Sequence, residues 1–537
     1  METGTARATG EAGSGHFARR SSGLVRDISL GSSVVLNLSF IGIVQAILAV
    51  TLIPQLFPGA STVLVAVLTA IACVGPYAMY GLLATLMPRS GGDYVFASRS
   101  LGPWPGMAAS VNVTLWYIAA IAYLTYLIPQ WALPGALSTI GAISNNETLL
   151  TWAADVTGNG WTFAIAALVT LTIFAAATAR LGWTLRVAWV LLGLAAAGVV
   201  VSILVMLFSS RGGFVDAVAA FGGDYDAIID AGRAAGLGAS GFDLGDTLLA
   251  TTIAFFSLGF GIATAYTAGE LRSAKRTALP GMLYALLIAA TTMAITFVLA
   301  ASRLGNEFLG AATTLSDAGS ADYPFSAPAN FFFFVSMLAD STPIAAFLGI
   351  AFVAAGMALC IPVFLICSRS IFAWSFDHLV PERLSEVNPR TRSPLNANIV
   401  VLAVALGYLA LMSFGPADFV TLIVSQVLGL LVTFMVVSIA GALVAYRRPD
   451  LYEGFGSDRR ILGLPVLTFV SVVAFAIYAF WFITLLSTDA LGANVGVGMT
   501  AFGVVLGIAV IAYPVSYLLN RARGIDVTLA AKTLPPE

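Results

Sequence analysis

The sequence predicts an all-α polytopic membrane protein of about twelve transmembrane helices, and three observations carry that prediction. Of the 537 residues, 59% are hydrophobic and only 10% charged. A water-exposed globular domain carries roughly a quarter charged residues. Apolar runs of about 20 residues, the length that crosses a bilayer as a helix, centre near Gly42, Ala72, Leu115, Thr170, Ala197, Gly259, Ala289, Ala355, Val404, Leu431, Ala474 and Gly507. Positive charge then alternates with these runs. With the N-terminus placed in the cytoplasm, all of the 25 lysines and arginines except Arg211, Arg233 and Arg303 fall in cytoplasmic segments. A missed span would scramble that alternation, so charge supports the count as well as the orientation.

Taken in order, residues 1–25 are small and polar, lack the apolar core of a signal peptide, and read as a disordered cytoplasmic tail. Residues 26–523 read as one transmembrane domain in the cell membrane, and 524–537 as a second cytoplasmic tail, disordered from about residue 526. Asp216, Asp224, Asp226, Asp230, Asp243 and Asp246 lie between spans 5 and 6 and read as a solvated outer loop. Phe331–Leu338, between spans 7 and 8, is too short to cross and reads as a re-entrant or lid segment. Trp104, Trp131, Trp161 and Trp183 fall at helix ends, as interfacial anchors do.

The composition also excludes. The net charge of −2 gives no reason to expect a nucleic-acid partner. Cys73, Cys360 and Cys367 lie in apolar runs and read as core residues, and His16 and His378 lie outside them. No cofactor or metal is expected, and no enzyme: the spans hold no nucleophile with a base and no ligand set. The expected partners are the lipid bilayer and a small-molecule substrate.

Backbone leaves the helix inside a membrane only where it is buried in protein or lines a cavity. Transporters bind substrate at such breaks, in equivalent helices of two repeats. Span 1 carries Ser39, Phe40, Ile41, Gly42 and Ile43; span 6 carries Phe256, Ser257, Leu258, Gly259 and Phe260. Each set joins a serine, an aromatic and a glycine at mid-depth. The two are five spans apart, and an odd number of spans per unit forces an inverted repeat. Expected breaks therefore lie near 40–43 and 257–261, with Phe260 and Phe256 covering a substrate and Trp116, Tyr117 and Gln426 as further walls. Ordinary core packing competes with this for Phe256, Trp116 and Tyr117.

The segment after span 2, Met87-Pro88-Arg89-Ser90-Gly91-Gly92-Asp93-Tyr94-Val95, is the most specific motif. It resembles the signature between helices 2 and 3 of the amino acid–polyamine–organocation (APC) superfamily of permeases. Gly269-Glu270-Leu271-Arg272 after span 6 and Ser368-Arg369 through Asn396-Ala397 between spans 8 and 9 agree with it in order and spacing. The resemblance implies inverted five-helix repeats at about 28–208 and 245–447, broken helices 1 and 6, and two peripheral helices at about 460–520. It also implies an amino acid substrate, its carboxylate on amides of the first break and its ammonium on carbonyls of the second.

Independently of the family, Gly91 and Gly92 permit a tight reversal. Arg89, Asp93 and Arg99, and Glu270 with Arg272 or Lys275, are expected to pair as an inner gate. The uncharged spans favour a zwitterionic substrate with a neutral side chain, moved by secondary active transport or exchange through alternating access. The alternatives are a small amine or other nitrogen compound, and a channel or transport-derived sensor. The resemblance implies coupling through a lysine in helix 5 or through hydroxyls in helix 8, but span 5 lacks a lysine and span 8 lacks hydroxyls before Ser368, so a coupling proton would fall to Glu270 or Asp93, with ion-free exchange as the other possibility.

Overall fold

The computed structural model describes residues 26–238, 241–415, 422–453, 459–493 and 496–532, so residues 1–25 lie outside it. It is an all-α bundle. Among the described residues ten helices are long and apolar enough to cross a membrane: Thr62–Leu86, Pro103–Ser144, Asn159–Thr178, Leu181–Phe208, Ala274–Arg303, Thr342–Phe376, Leu395–Phe414, Leu422–Arg447, Val466–Ser487 and Gly496–Ala522. These are spans 2 to 5 and 7 to 12. Spans 1 and 6 are the two that are interrupted.

Span 1 runs as Leu30–Ile41, stops at Gly42, and resumes as Ile43–Leu56. Gly42 takes φ 65° and ψ 76°, a left-handed conformation that costs an L-residue with a side chain about 1–2 kcal/mol. Span 6 runs as Leu244–Leu258, is non-helical from 259 to 262, and ends in the single turn Ala263–Tyr266. Both interruptions fall within a residue or two of their expected places, five spans apart.

The segments between spans are folded. At one end, here called the basic end, Gly91 and Gly92 take φ 112° and 44° and reverse the chain into the helix Asp93–Leu101. A Cβ on Gly91 would lie 2.5 Å from Ala373 Cβ, and one on Gly92 2.5 Å from the Tyr266 ring. The sharp reversal is thus wedged between spans 8 and 6. There Ile28 and Leu271 form a parallel bridge, and Ser90 and Thr267 an antiparallel one.

Three expectations change here. The acidic stretch between spans 5 and 6 is more than a solvated loop: it forms Arg211–Ala220 and Tyr225–Ala234. Tyr225 stacks on Phe308 at 4.7 Å, and Phe214 meets Phe308 at 5.2 Å, giving these helices an apolar side to bury. The acids serve as helix caps, with Asp224 accepting from Ala227 N–H and Asp243 from Asp246 N–H. Phe331–Ala339 is a buried helix packed on span 8, because four successive phenylalanines leave it no polar face. At the C-terminal end, Val527–Lys532 is a 3-10 helix with Val527 buried, and Arg448 donates to Lys532 O at 3.1 Å.

Candidate functional site

A cavity of about 290 Å³ lies against both interruptions. Spans 1 and 6 bring Phe40, Ile41, Phe256, Ser257 and Phe260 to its wall; span 3 brings Tyr117 and span 10 Gln426. Among the described residues that line it none is charged. Phe40 contacts Tyr117 at 5.5 Å and Phe260 at 5.8 Å between ring centres, in edge and tilted arrangements. Gln426 is buried and its Oε1 has no hydrogen-bond partner. An orphaned acceptor in an apolar wall costs about 1–3 kcal/mol unless something meets it.

Ser39, Gly42, Ile43, Leu258 and Gly259 shape the breaks without lining the cavity, and Trp116 does not line it either. The Trp116 indole is pressed against Gly429 of span 10, where a Cβ would sit 1.9 Å from Nε1. That close helix contact uses the ring for packing. Tyr123, Leu127 and Trp131 of span 3, and Leu359 and Val363 of span 8, line the cavity without having been expected. Trp131 belongs to a π-helical stretch, Ile128–Ala132, inside span 3. Nothing in the apolar periodicity marks such a stretch.

The span 6 break is clamped by a residue that sequence reasoning passed over. Tyr77 of span 2 accepts from Gly261 N–H at 2.7 Å and donates to Leu258 O. One hydroxyl thus satisfies two backbone groups that the break releases. The segments of spans 1 and 6 nearest the basic end are also joined. Asn37 Nδ2 donates to Thr264 Oγ1 at 2.9 Å, and Thr264 N–H donates back to Asn37 Oδ1 at 3.1 Å.

The expected gate residues are buried or clustered at the basic end, with different partners. Glu270 does not pair with Arg272 or Lys275. Arg369 of span 8 holds it with two hydrogen bonds, Nε to Oε1 at 2.8 Å and Nη2 to Oε2 at 2.9 Å. Both side chains are 2% exposed. A buried carboxylate needs a partner that is itself buried, whereas Arg272 is exposed and meets Asp27 at 2.9 Å.

Arg99 pairs with Asp377 at 2.7 Å, and Tyr94 OH joins the same oxygen at 2.6 Å. Asp93 and Arg99 cannot meet, because six residues apart they lie on different faces of their helix. Asp93 instead accepts from the hydroxyls of Tyr80 and Tyr266. Arg89 donates to Pro88 O at 3.0 Å. Asp93 lies outside the membrane-spanning segments, in the helix after the double-glycine turn. Burial pushes its carboxyl up to about 6, although the two tyrosine donors oppose that rise.

The cavity therefore sits at two broken helices, with buried ion pairs between it and the basic end. This arrangement has the room to enclose a small solute. Among the described residues no group of three metal-ligating side chains occurs. Comparison with curated proteins gives no match. The family model described as amino acid permease matches residues 28–511, nearly the whole chain. The chain belongs to this amino acid permease family, within the APC superfamily, and is a multi-pass membrane protein of a transporter family.

Proposed function

We propose that the protein carries a zwitterionic amino acid with a neutral side chain across the cell membrane by alternating access, with the basic end in the cytoplasm. The observation that carries this reading is a cavity at two helix breaks whose lining holds no charged side chain. A cationic or dicarboxylic substrate would need a buried counter-ion there. A zwitterion needs only unpaired backbone groups. The first amides after Gly42 lack intrahelical acceptors by helix geometry and carry partial positive charge suited to a carboxylate. Carbonyls released around 259–262 suit an ammonium. Apolar rings enclose the rest, with Phe260 closing over the substrate and Gln426 supplying a polar contact.

Two inverted five-helix repeats supply the motion. Glu270–Arg369 and Arg99–Asp377 close the basic end in this state and part in the other. A coupling proton, where one moves, belongs to Asp93, since both Glu270 oxygens are taken by Arg369. The second reading is a small neutral or weakly basic amine, which needs no counter-ion and fits among the rings of Phe40, Tyr117 and Phe260. Purified protein should be screened for thermal shift against neutral, cationic and acidic amino acids and simple amines. Stabilisation by neutral amino acids supports the first reading. Stabilisation by amines alone moves it to the second, and stabilisation by arginine or glutamate alone contradicts both.

A further inference from the structure

A second cavity, of about 340 Å³, lies at the basic end, away from the broken-helix site. Arg180, Arg186 and Arg392 line it together with Asp27, Glu270 and Trp183. The two acids are already neutralised, Asp27 by Arg272 and Glu270 by Arg369. Among the described residues none of the three lining arginines forms an ion pair. Arg180 spends only its Nε, on Arg390 O at 3.0 Å. Arg186 lies over the Trp183 ring at 5.1 Å.

A further observation points the same way. Span 5 begins at Leu181, and its N-cap, Arg180, provides no side-chain cap. Leu181 and Gly182, the first two residues of this 28-residue helix, both line the cavity. Their amides belong to the helix start that lacks intrahelical acceptors. Three unpaired guanidiniums converge with the positive end of a long helix. Arginine forks and helix N-termini both match the oxygens of a phosphate.

We propose that this cavity binds a phosphate anion, which bridges the start of span 5 and the loop between spans 8 and 9. Both a lipid headgroup and a soluble phosphate have this chemistry. Trp183, in the first turn of span 5, lines the cavity and is exposed, as suits an interfacial aromatic that places a helix end at headgroup level.

The test compares the wild-type chain with a triple variant, Arg180→Gln, Arg186→Gln, Arg392→Gln. In one arm both are reconstituted in nanodiscs of phosphatidylcholine with or without phosphatidylglycerol. In the other, both are held in neutral detergent with inorganic phosphate or with chloride at equal ionic strength. Melting temperature is read in each. A rise of about 2–4 °C in wild type that the triple variant loses supports the site. It assigns a lipid phosphate if confined to the nanodisc arm, and a soluble one if confined to the detergent arm.

A control carries Lys275→Gln and Arg276→Gln, exposed basic residues outside the cavity. It should keep the rise. No rise in either arm, an equal rise in the triple variant, or an equal loss in the control overturns the proposal.

Discussion

At the scale of single residues, Asp93 combines full burial, two tyrosine donors and no cation among the partners that set its ionisation. Tyr80 approaches it from span 2 and Tyr266 from span 6, and the rings of Tyr117 and Tyr478 are near enough to feel its charge. Burial pushes its carboxyl up to about 6, from an ordinary value near 4. The native state therefore binds more protons than the unfolded chain between those values. The stability that Asp93 contributes is fully present below about pH 4 and is lost as pH rises through 6, by roughly 3 kcal/mol in all. The Asp93→Asn variant should flatten that fall, measured as melting temperature from pH 4 to 8. If Asp93 carries a coupling proton, the variant should also remove the dependence of uptake on an imposed proton gradient. Gradient-driven uptake that survives the substitution rules Asp93 out.

Phe260 belongs to the same scale. Burying a phenylalanine against a ligand contributes about 1.5–3 kcal/mol, so Phe260→Ala should weaken substrate affinity about 10- to 100-fold. Unchanged affinity and transport would show that Phe260 does not cover the substrate. Its place was legible because a serine, an aromatic and glycines cluster at mid-span, where backbone must be excused from the helix. For Trp116 the sequence left substrate wall and core packing both open, for the converse reason. An indole at mid-depth looks the same in sequence whether it faces a cavity or, as here, a glycine on the next helix.

At the scale of elements, the two breaks differ in how they are held. Gly42 makes a single left-handed turn, while the span 6 break is longer and braced by Tyr77. Gly42→Ala should lower stability by about 1–2 kcal/mol, read as a lower melting temperature. No change would mean that the turn relaxes without cost.

Glu270 and Arg369 tie the end of span 6 to span 8. Glu270→Gln leaves Arg369 buried without its charge partner, a loss of roughly 3–5 kcal/mol borne by the closed basic end. In a background of Cys73→Ala and Cys360→Ala, buried Cys367 of span 8 should then react faster with a membrane-impermeant maleimide added from the basic side. An unchanged labelling rate would show that the pair does not hold that end shut. The acid was legible and its partner was not. Glu270 and Arg369 are 99 residues apart, and local spacing favours Arg272, which the fold sends to the surface. The link from Asn37 to Thr264 escaped notice for the same reason, since nothing local marks two polar residues 227 positions apart as partners.

For the whole molecule, the span count and the fold class were legible because a bilayer imposes length and polarity on every segment that crosses it. The folded caps were less so. Phe214, Tyr225 and Phe308 come from separate stretches among polar residues, and only their meeting gives those helices an apolar side. Buried pairs at the basic end and a cavity at mid-depth are what a carrier needs if it exposes one site to one side at a time. A pore would have to be continuous through that packed end.

Counterflow in proteoliposomes tests this central claim most directly. Vesicles loaded with an unlabelled neutral amino acid are diluted into a trace of the labelled one, and uptake is followed with and without the internal load. The account predicts saturable, transient accumulation that requires the load, fails when lysine or glutamate replaces it, and is lost in Phe260→Ala. Uptake that neither saturates nor responds to internal substrate, for every amino acid tried, would contradict it.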